Sequence, residues 1–344
     1  MRRRVPPAAP AALAVALLLA VLLSACGLGG GGSGGGGTAK GKGAKGTGAF
    51  PVTVEHRYGS TTIERRPKRV VTVGLTDQDT ALVLGVVPVG VRQWFGDYPS
   101  ASWPWSQPAL AEAQPTVVGD AASIDVDAVK ALHPDLILAM SADVTRAQYR
   151  DLGKIAPVVA PPLPGAPGAI PWATRTRLAG RALGATAQAK QAIFAAKHDF
   201  LVVHDKHPAF AGHTLVVASR DDTGTIRIYG PADPRARFMA QLGFQTPPWV
   251  ARKAGDATSF VLDPADAPTV RTDRIAWIAT TAQEQAIKAD PAVARMAVSG
   301  RTTFLAQDAP PIGDALRFDT ILSVRYAVDW AVPLLAPPPP KPAG

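Results

Sequence analysis

The sequence holds one cysteine, Cys26, in 344 residues. An intrachain disulfide is therefore excluded, and so is any zinc site built on paired cysteines. Aromatic residues make up 6% and charged residues 18% of the chain, which excludes a highly charged nucleic-acid binder. A fully disordered chain is excluded as well, because 47% of residues are hydrophobic, enough to pack cores. No Walker A sequence occurs, so the chain is not an ATPase of that type. Six histidines are present, and His204 and His207 stand at i,i+3 spacing. No H-E-x-x-H or carboxylate-rich pattern accompanies them, and no resident metal is expected. No Ser-His-Asp set falls at structured positions, so the chain does not read as an enzyme. Lys+Arg outnumber Asp+Glu by 36 to 27, and Arg2, Arg3 and Arg4 supply three of those positive charges. The mildly basic remainder suits anionic ligands or anionic envelope polymers.

The N-terminal apolar run, residues 8–23, is short of the roughly 20 residues a membrane span needs but fits a signal h-region behind the Arg2–Arg4 cluster. It ends in LSAC at 23–26, which resembles the lipobox of bacterial lipoproteins. That resemblance implies a signal peptide over 1–25, lipidation of Cys26 and a membrane anchor on the extracytoplasmic face. Residues 26–49 are Gly-rich with Lys40, Lys42 and Lys45, and read as a flexible tether. GLGGGG at 27–32 and GKGAKG at 41–46 satisfy G-x-G-x-x-G, and GGSGG at 31–35 spells G-x-S-x-G. None follows a strand or opens a helix, so none is a nucleotide or nucleophile motif.

From residue 50 short apolar runs alternate with helical patterns. Residues 69–74, 86–91, 135–140 and 156–160 read as strands, and 77–84, 124–132 and 145–154 as helices. The second half repeats the plan, with strands at 214–219, 273–278 and 302–305 and a helix at 233–242. Near-continuous apolar strands separated by helices imply parallel sheets covered on both faces. The expected fold is α/β, with two Rossmann-like lobes of parallel-rich sheet at 50–171 and 208–336, followed by a Pro-rich tail at 337–344. Between the lobes, residues 172–207 contain no proline and are rich in helix formers. One rigid helix of about 48 Å is expected there, or two shorter ones broken near Gly180 and Gly184.

The chain at this point resembles the class III substrate-binding lipoproteins of ABC importers, of the iron–siderophore type. The resemblance covers about 50–335. It rests on PKRVVTVG at 67–74, LGVVPVG at 84–90, ALHPDLIL at 131–138, IAPV at 155–158, LAGRALG at 178–184, YGPADPR at 229–235 and GF at 243–244. It implies a ligand cleft between the lobes and delivery of a ferric siderophore to ABC permease subunits by a tethered monomer. Haem, held by Tyr98 or Tyr229, is an alternative ligand. A cell-envelope scaffold that has kept the fold and lost transport is another reading.

An anionic chelate calls for arginine forks and aromatic faces beyond the strand ends. The loop after 86–91 offers Arg92, Trp94, Tyr98 and Trp105, with Trp103 closer to packing or rim. The second lobe offers Arg220, Arg227, Tyr229, Arg235 and Arg317, and Trp172 opens the bridge. Arg227 and Tyr229 alternate with Ile226 and Ile228 and so share one strand face. The resemblance also implies one acidic permease-docking residue per lobe, here Asp127 and Asp266, with Asp263 as an alternative to the second.

Overall fold

The computed structural model describes residues 50–162, 170–294, 296 and 301–336. The expected signal peptide, the Cys26 lipidation site, the tether and the Pro-rich tail lie outside the described residues.

An antiparallel hairpin opens the fold, β1 Val52–His56 with β2 Gly59–Ile63. The first lobe then runs β3 Val70–Thr72, α1 Asp77–Val83, β4 Gly90–Val91, α2 Gln107–Leu110, β5 Thr116–Val117, α3 Val126–Ala131, β6 Leu136–Leu138, α4 Arg146–Gly153 and β7 Val158–Val159. Its sheet has the order β5-β4-β3-β6-β7, parallel throughout. Chain order reverses between β3 and β6, and a crevice opens beyond the carboxyl ends of strands at such a switch point. β3, β4, β6 and β7 are buried along their length, as their largely apolar runs require, while the edge strand β5 is exposed. Local signals set the helix ends. Thr145 caps α4 and exchanges hydrogen bonds with Gln148 in a capping box.

The bridge is α5 Trp172–Ala182 and α6 Thr186–Lys206, not one continuous helix. The break falls at Gly184, whose φ of +64° suits a residue without a Cβ. Gly180 lets the two helices touch, since a Cβ there would lie 2.4 Å from that of Ala189. The start of α6 packs through Ala189 into the first lobe's core, and Ile193, Phe200 and Val203 pack into the second's. The rigid connection is thus α6 alone, roughly 31 Å long at 1.5 Å per residue.

The second lobe runs β8 Leu215–Arg220, β9 Ile226–Tyr229, α7 Pro234–Gln241, α8 Pro248–Ala254, β10 Ser259–Leu262, β11 Arg274–Ala279, α9 Thr281–Ala289, α10 Pro291–Ala294, β12 Thr302–Ala306, α11 Ile312–Phe318 and α12 Ile321–Leu335. Its sheet order is β10-β9-β8-β11-β12. β8, β11 and β12 are parallel, while β9 and β10 form an antiparallel edge that the apolar pattern did not resolve. α12, also unforeseen, packs against α6 and reaches back to α1 of the first lobe. One core cluster joins Trp103, Trp105 and Trp172 to Phe318, Val324 and other second-lobe residues, so apolar packing is continuous between the lobes.

Candidate functional site

The loop after β4 and the turn before α12 meet between the lobes. Trp94 and Phe95 of the loop pack edge-on at 4.8 Å, and both lie within 5.6 Å of the Phe318 ring. The Arg317 guanidinium sits 4.5 Å from the centroids of both Trp94 and Phe95. Among the described residues it makes no hydrogen bond, so its five donors are free while its charge rests on two aromatic faces. Burial and the nearby Arg235 guanidinium lower the Arg317 pKa.

Tyr229 and Arg235 extend this surface. Arg235 lies 4.3 Å over the Tyr229 ring and pairs with Asp233 at 3.0 Å, and the Tyr229 hydroxyl is 2.9 Å from Ser219 Oγ. Asp314, one helical turn before Arg317, is 6% exposed, and its Oδ1 has no partner among the described residues. Burial pushes its carboxyl up to about 6, against the pull of Arg317 and Arg235. Burial and this same carboxylate raise the phenol of Tyr98, which stacks at a tilt on Trp103. Five expected residues therefore converge: Trp94, Tyr98, Tyr229, Arg235 and Arg317.

The other five do not join them. Arg92 is buried, and its nitrogens donate to the carbonyls of Asp120 at 2.5 Å, Ala121 at 3.1 Å and Val73 at 3.3 Å. Its fork braces the first lobe's loops with one bond from each nitrogen, and the side chain is buried among them. Trp105 is buried in a 5.1 Å stack on Trp103 and donates its Nε1–H to Asp79 at 2.7 Å. Trp172 is 4% exposed in the shared core and donates to Gln241. Arg220 pairs with Asp290 at 3.0 Å. Arg227 shares a strand face with Tyr229 as expected, but is exposed and reaches Ser259. Asp127 is exposed in the first turn of α3, and Asp266 is exposed 3.8 Å from Lys253.

Beneath Arg317 lies a buried ionic cluster that the sequence pattern did not foretell. Arg175 of α5 donates to Thr76 Oγ1 at 2.8 Å and to the carbonyls of Phe318 and Asp319. Asp319 also accepts from Arg237 at 2.8 Å. Asp79 of α1 accepts from Thr320, the N-cap of α12, at 2.6 Å, and burial pushes its carboxyl up to about 6. These bonds bolt the first lobe, the bridge and α12 together. The signal for Arg175 was present: it stands on the buried stripe Trp172, Arg175, Thr176, Ala179, Ala182, where a charge needs partners.

A cavity of about 150 Å³ lies at this junction, lined by Leu75, Thr76, Trp94, Ser141, Arg175, Arg317 and Phe318. Leu75 and Thr76 follow β3 and Ser141 follows β6, so it sits at the first lobe's switch point. A larger cavity of about 590 Å³ opens between α6 and α12, but none of Trp94, Arg235 and Arg317 lines it.

Two α/β lobes, a helical bridge and a cleft at the strand ends define a bilobal solute-binding protein. The chain matches the periplasmic binding protein family over residues 70–299, well over half its length, and belongs to that family. A solved periplasmic solute binding protein of Mycobacterium smegmatis is 32% identical, with 83% of this chain and 97% of that one covered and a TM-score of 0.74. PiaA of Streptococcus pneumoniae, solved with ferrichrome, shares the fold at 24% identity and TM-score 0.71, covering 83% and 97%. Among curated proteins, Bacillus subtilis YhfQ, named as an ABC transporter substrate-binding lipoprotein, is 38% identical over 112 residues. The Fe(3+) dicitrate-binding periplasmic protein FecB of Escherichia coli is 30% identical over 117 residues. These two matches span 32% of this chain each, and 32% and 35% of the relatives.

Proposed function

We propose that this protein captures a ferric siderophore in the interlobe cleft and delivers it to the permease of an ABC importer. The observation that carries this reading is Arg317, held against Trp94 and Phe95 with no hydrogen bond among the described residues. A guanidinium so placed can take an anionic chelate on its edge while the rings take the chelator's flat faces. Tyr229 and Arg235 add a phenol and a second cation from the lobe that carries Arg317. The ligands named for PiaA and FecB, ferrichrome and ferric dicitrate, support iron chelates as the substrate class. Lipidation at Cys26 would hold the monomer on the extracytoplasmic face of the membrane, in keeping with the lipoprotein name of YhfQ. Asp127 and Asp266, exposed on separate lobes, would meet the permease.

Tryptophan fluorescence of the full chain in detergent, titrated with ferric catecholate, hydroxamate and carboxylate chelates and with haem, tests the capture step. Saturable quenching by a ferric chelate, lost in Arg317→Ala, is expected. Saturation by haem alone, with a Soret band, would reassign the ligand. No saturation by any of them would leave the scaffold reading. Delivery is tested by ferric chelate uptake in cells carrying Asp127→Ala with Asp266→Ala, where uptake falls while binding is kept.

A further inference from the structure

The cavity of about 590 Å³ between α6 and α12 is a groove that none of the cleft residues Trp94, Arg235 and Arg317 lines. Pro104, Trp105 and Pro108 of the first lobe, Val203 of α6, and Tyr326 and Val332 of α12 line it, and the Trp105 and Tyr326 rings are 5.6 Å apart. Aromatic grooves of this kind pack polyproline II segments, whose preformed backbone costs little entropy to order. The two acids of the groove differ. Asp199 pairs with Arg325 at 2.7 Å, whereas Asp329 makes no hydrogen bond or ion pair among the described residues.

A segment of matching chemistry begins at the end of this groove. α12 runs to Leu335, its Pro333 lines the groove, and residues 337–344 read PPPPKPAG. The chain leaves α12 in the polyproline II region, with Ala336 at φ −67° and ψ 143°, as the following proline favours. Ala336 packs on the core cluster that contains Val203 and Val332. We propose that the groove seats the chain's own proline-rich segment, residues 337–344, with its prolines against Trp105 and Tyr326 and Lys341 paired with Asp329. Lys341 stands five residues past Ala336, a reach of about 15 Å at 3.1 Å per residue. Asp329 stands seven residues back along α12, about 10 Å at 1.5 Å per residue. The reach exceeds the distance and leaves slack for the reversal. Tethering at the end of α12 supplies an effective concentration on the order of millimolar, so a weak contact suffices. Seated there, the segment braces the first lobe's 104–108 loop against α12. This contact does not depend on the capture reading.

The test is carbodiimide cross-linking of the full chain in detergent, mapped by peptide mass spectrometry. An amide between Lys341 Nζ and the Asp329 carboxyl is expected in the monomer band, at a yield at least fivefold above that of Lys341 with any other acid. Asp329→Lys with Lys341→Glu exchanges the two charges and should restore a cross-link between the same two positions. Tyr326→Ser removes an aromatic wall while keeping both reacting groups, and should lower the yield at least threefold. Pro338→Gly with Pro339→Gly alters no residue of either lobe and should do the same; it decides the matter if Tyr326→Ser fails to fold. Absence of a Lys341 cross-link to Asp329, or cross-links spread evenly over Asp199, Asp205, Asp329 and other exposed acids, overturns the seating. Yields unchanged by the loss of the prolines overturn it as well. A Lys341–Asp329 cross-link confined to the dimer band overturns the assignment to the chain's own segment and gives the groove to that of a second copy.

Discussion

Asp79→Asn isolates one buried acid in the interlobe bolt. Asp79 is 1% exposed, accepts from Trp105 Nε1 and Thr320 Oγ1 through Oδ2, and leaves Oδ1 without a partner among the described residues. Burial pushes its carboxyl up to about 6 from an ordinary 3.8. The folded state thus prefers the protonated acid, and the shift is worth about 3 kcal/mol. Because the folded value is raised, this stabilisation is complete below the unfolded value near 4 and is lost as pH rises through 6. Roughly half of it should disappear between pH 5 and pH 7.5, or about 3 °C in Tm at roughly 2 °C per kcal/mol for a chain of this size. Asn cannot ionise, so its Tm should fall less over that interval, by that amount. Its amide must bury extra N–H groups, so at pH 5 it should be the less stable protein. Differential scanning fluorimetry of both proteins across pH 5–7.5, at constant ionic strength, reads the difference. Parallel Tm curves would show that Asp79 does not titrate in this range and would refute the argument. Asp314, also pushed up to about 6, contributes equally to both curves and cancels.

Gly180→Val adds methyl groups beyond a Cβ that would itself lie 2.4 Å from that of Ala189, and should cost about 1–3 kcal/mol by separating α5 from α6, seen as a lower urea midpoint. Thr145→Ala removes the capping box of α4 and should cost about 1 kcal/mol in the same assay, without changing ligand affinity. Phe194 and Leu201 are 72% and 58% exposed on α6, so Phe194→Ser with Leu201→Ser should change stability by no more than about 0.5 kcal/mol each; a larger loss in urea unfolding would mean that these side chains are packed rather than solvated.

Features that depend on near neighbours along the chain were legible before the fold was known. The largely apolar runs at 70–72 and 136–138 became buried parallel strands, because a strand covered on both faces keeps few polar side chains, each with a partner as Thr72 has in the Gly90 carbonyl. Thr145 and Gln148 set the start of α4 through bonds three residues apart, and Gly184 broke the bridge through its own φ. Trp94 was legible as a cleft residue because a strand end in an α/β sheet points its loop at the crevice. What tertiary structure alone decided is which charged groups remain free. Arg92 and Arg317 are the same residue type, and both lie within two residues of an aromatic. The fold brings three carbonyls from positions 73, 120 and 121 onto Arg92 and sets Arg317 on Trp94 and Phe95, more than 200 residues earlier in the chain. Arg175 looked like one more helix former, yet its partners come from the residue before α1 and the turn before α12. A sequence states how many donors a side chain carries, but only the placement of distant acceptors determines which of them a ligand can still claim.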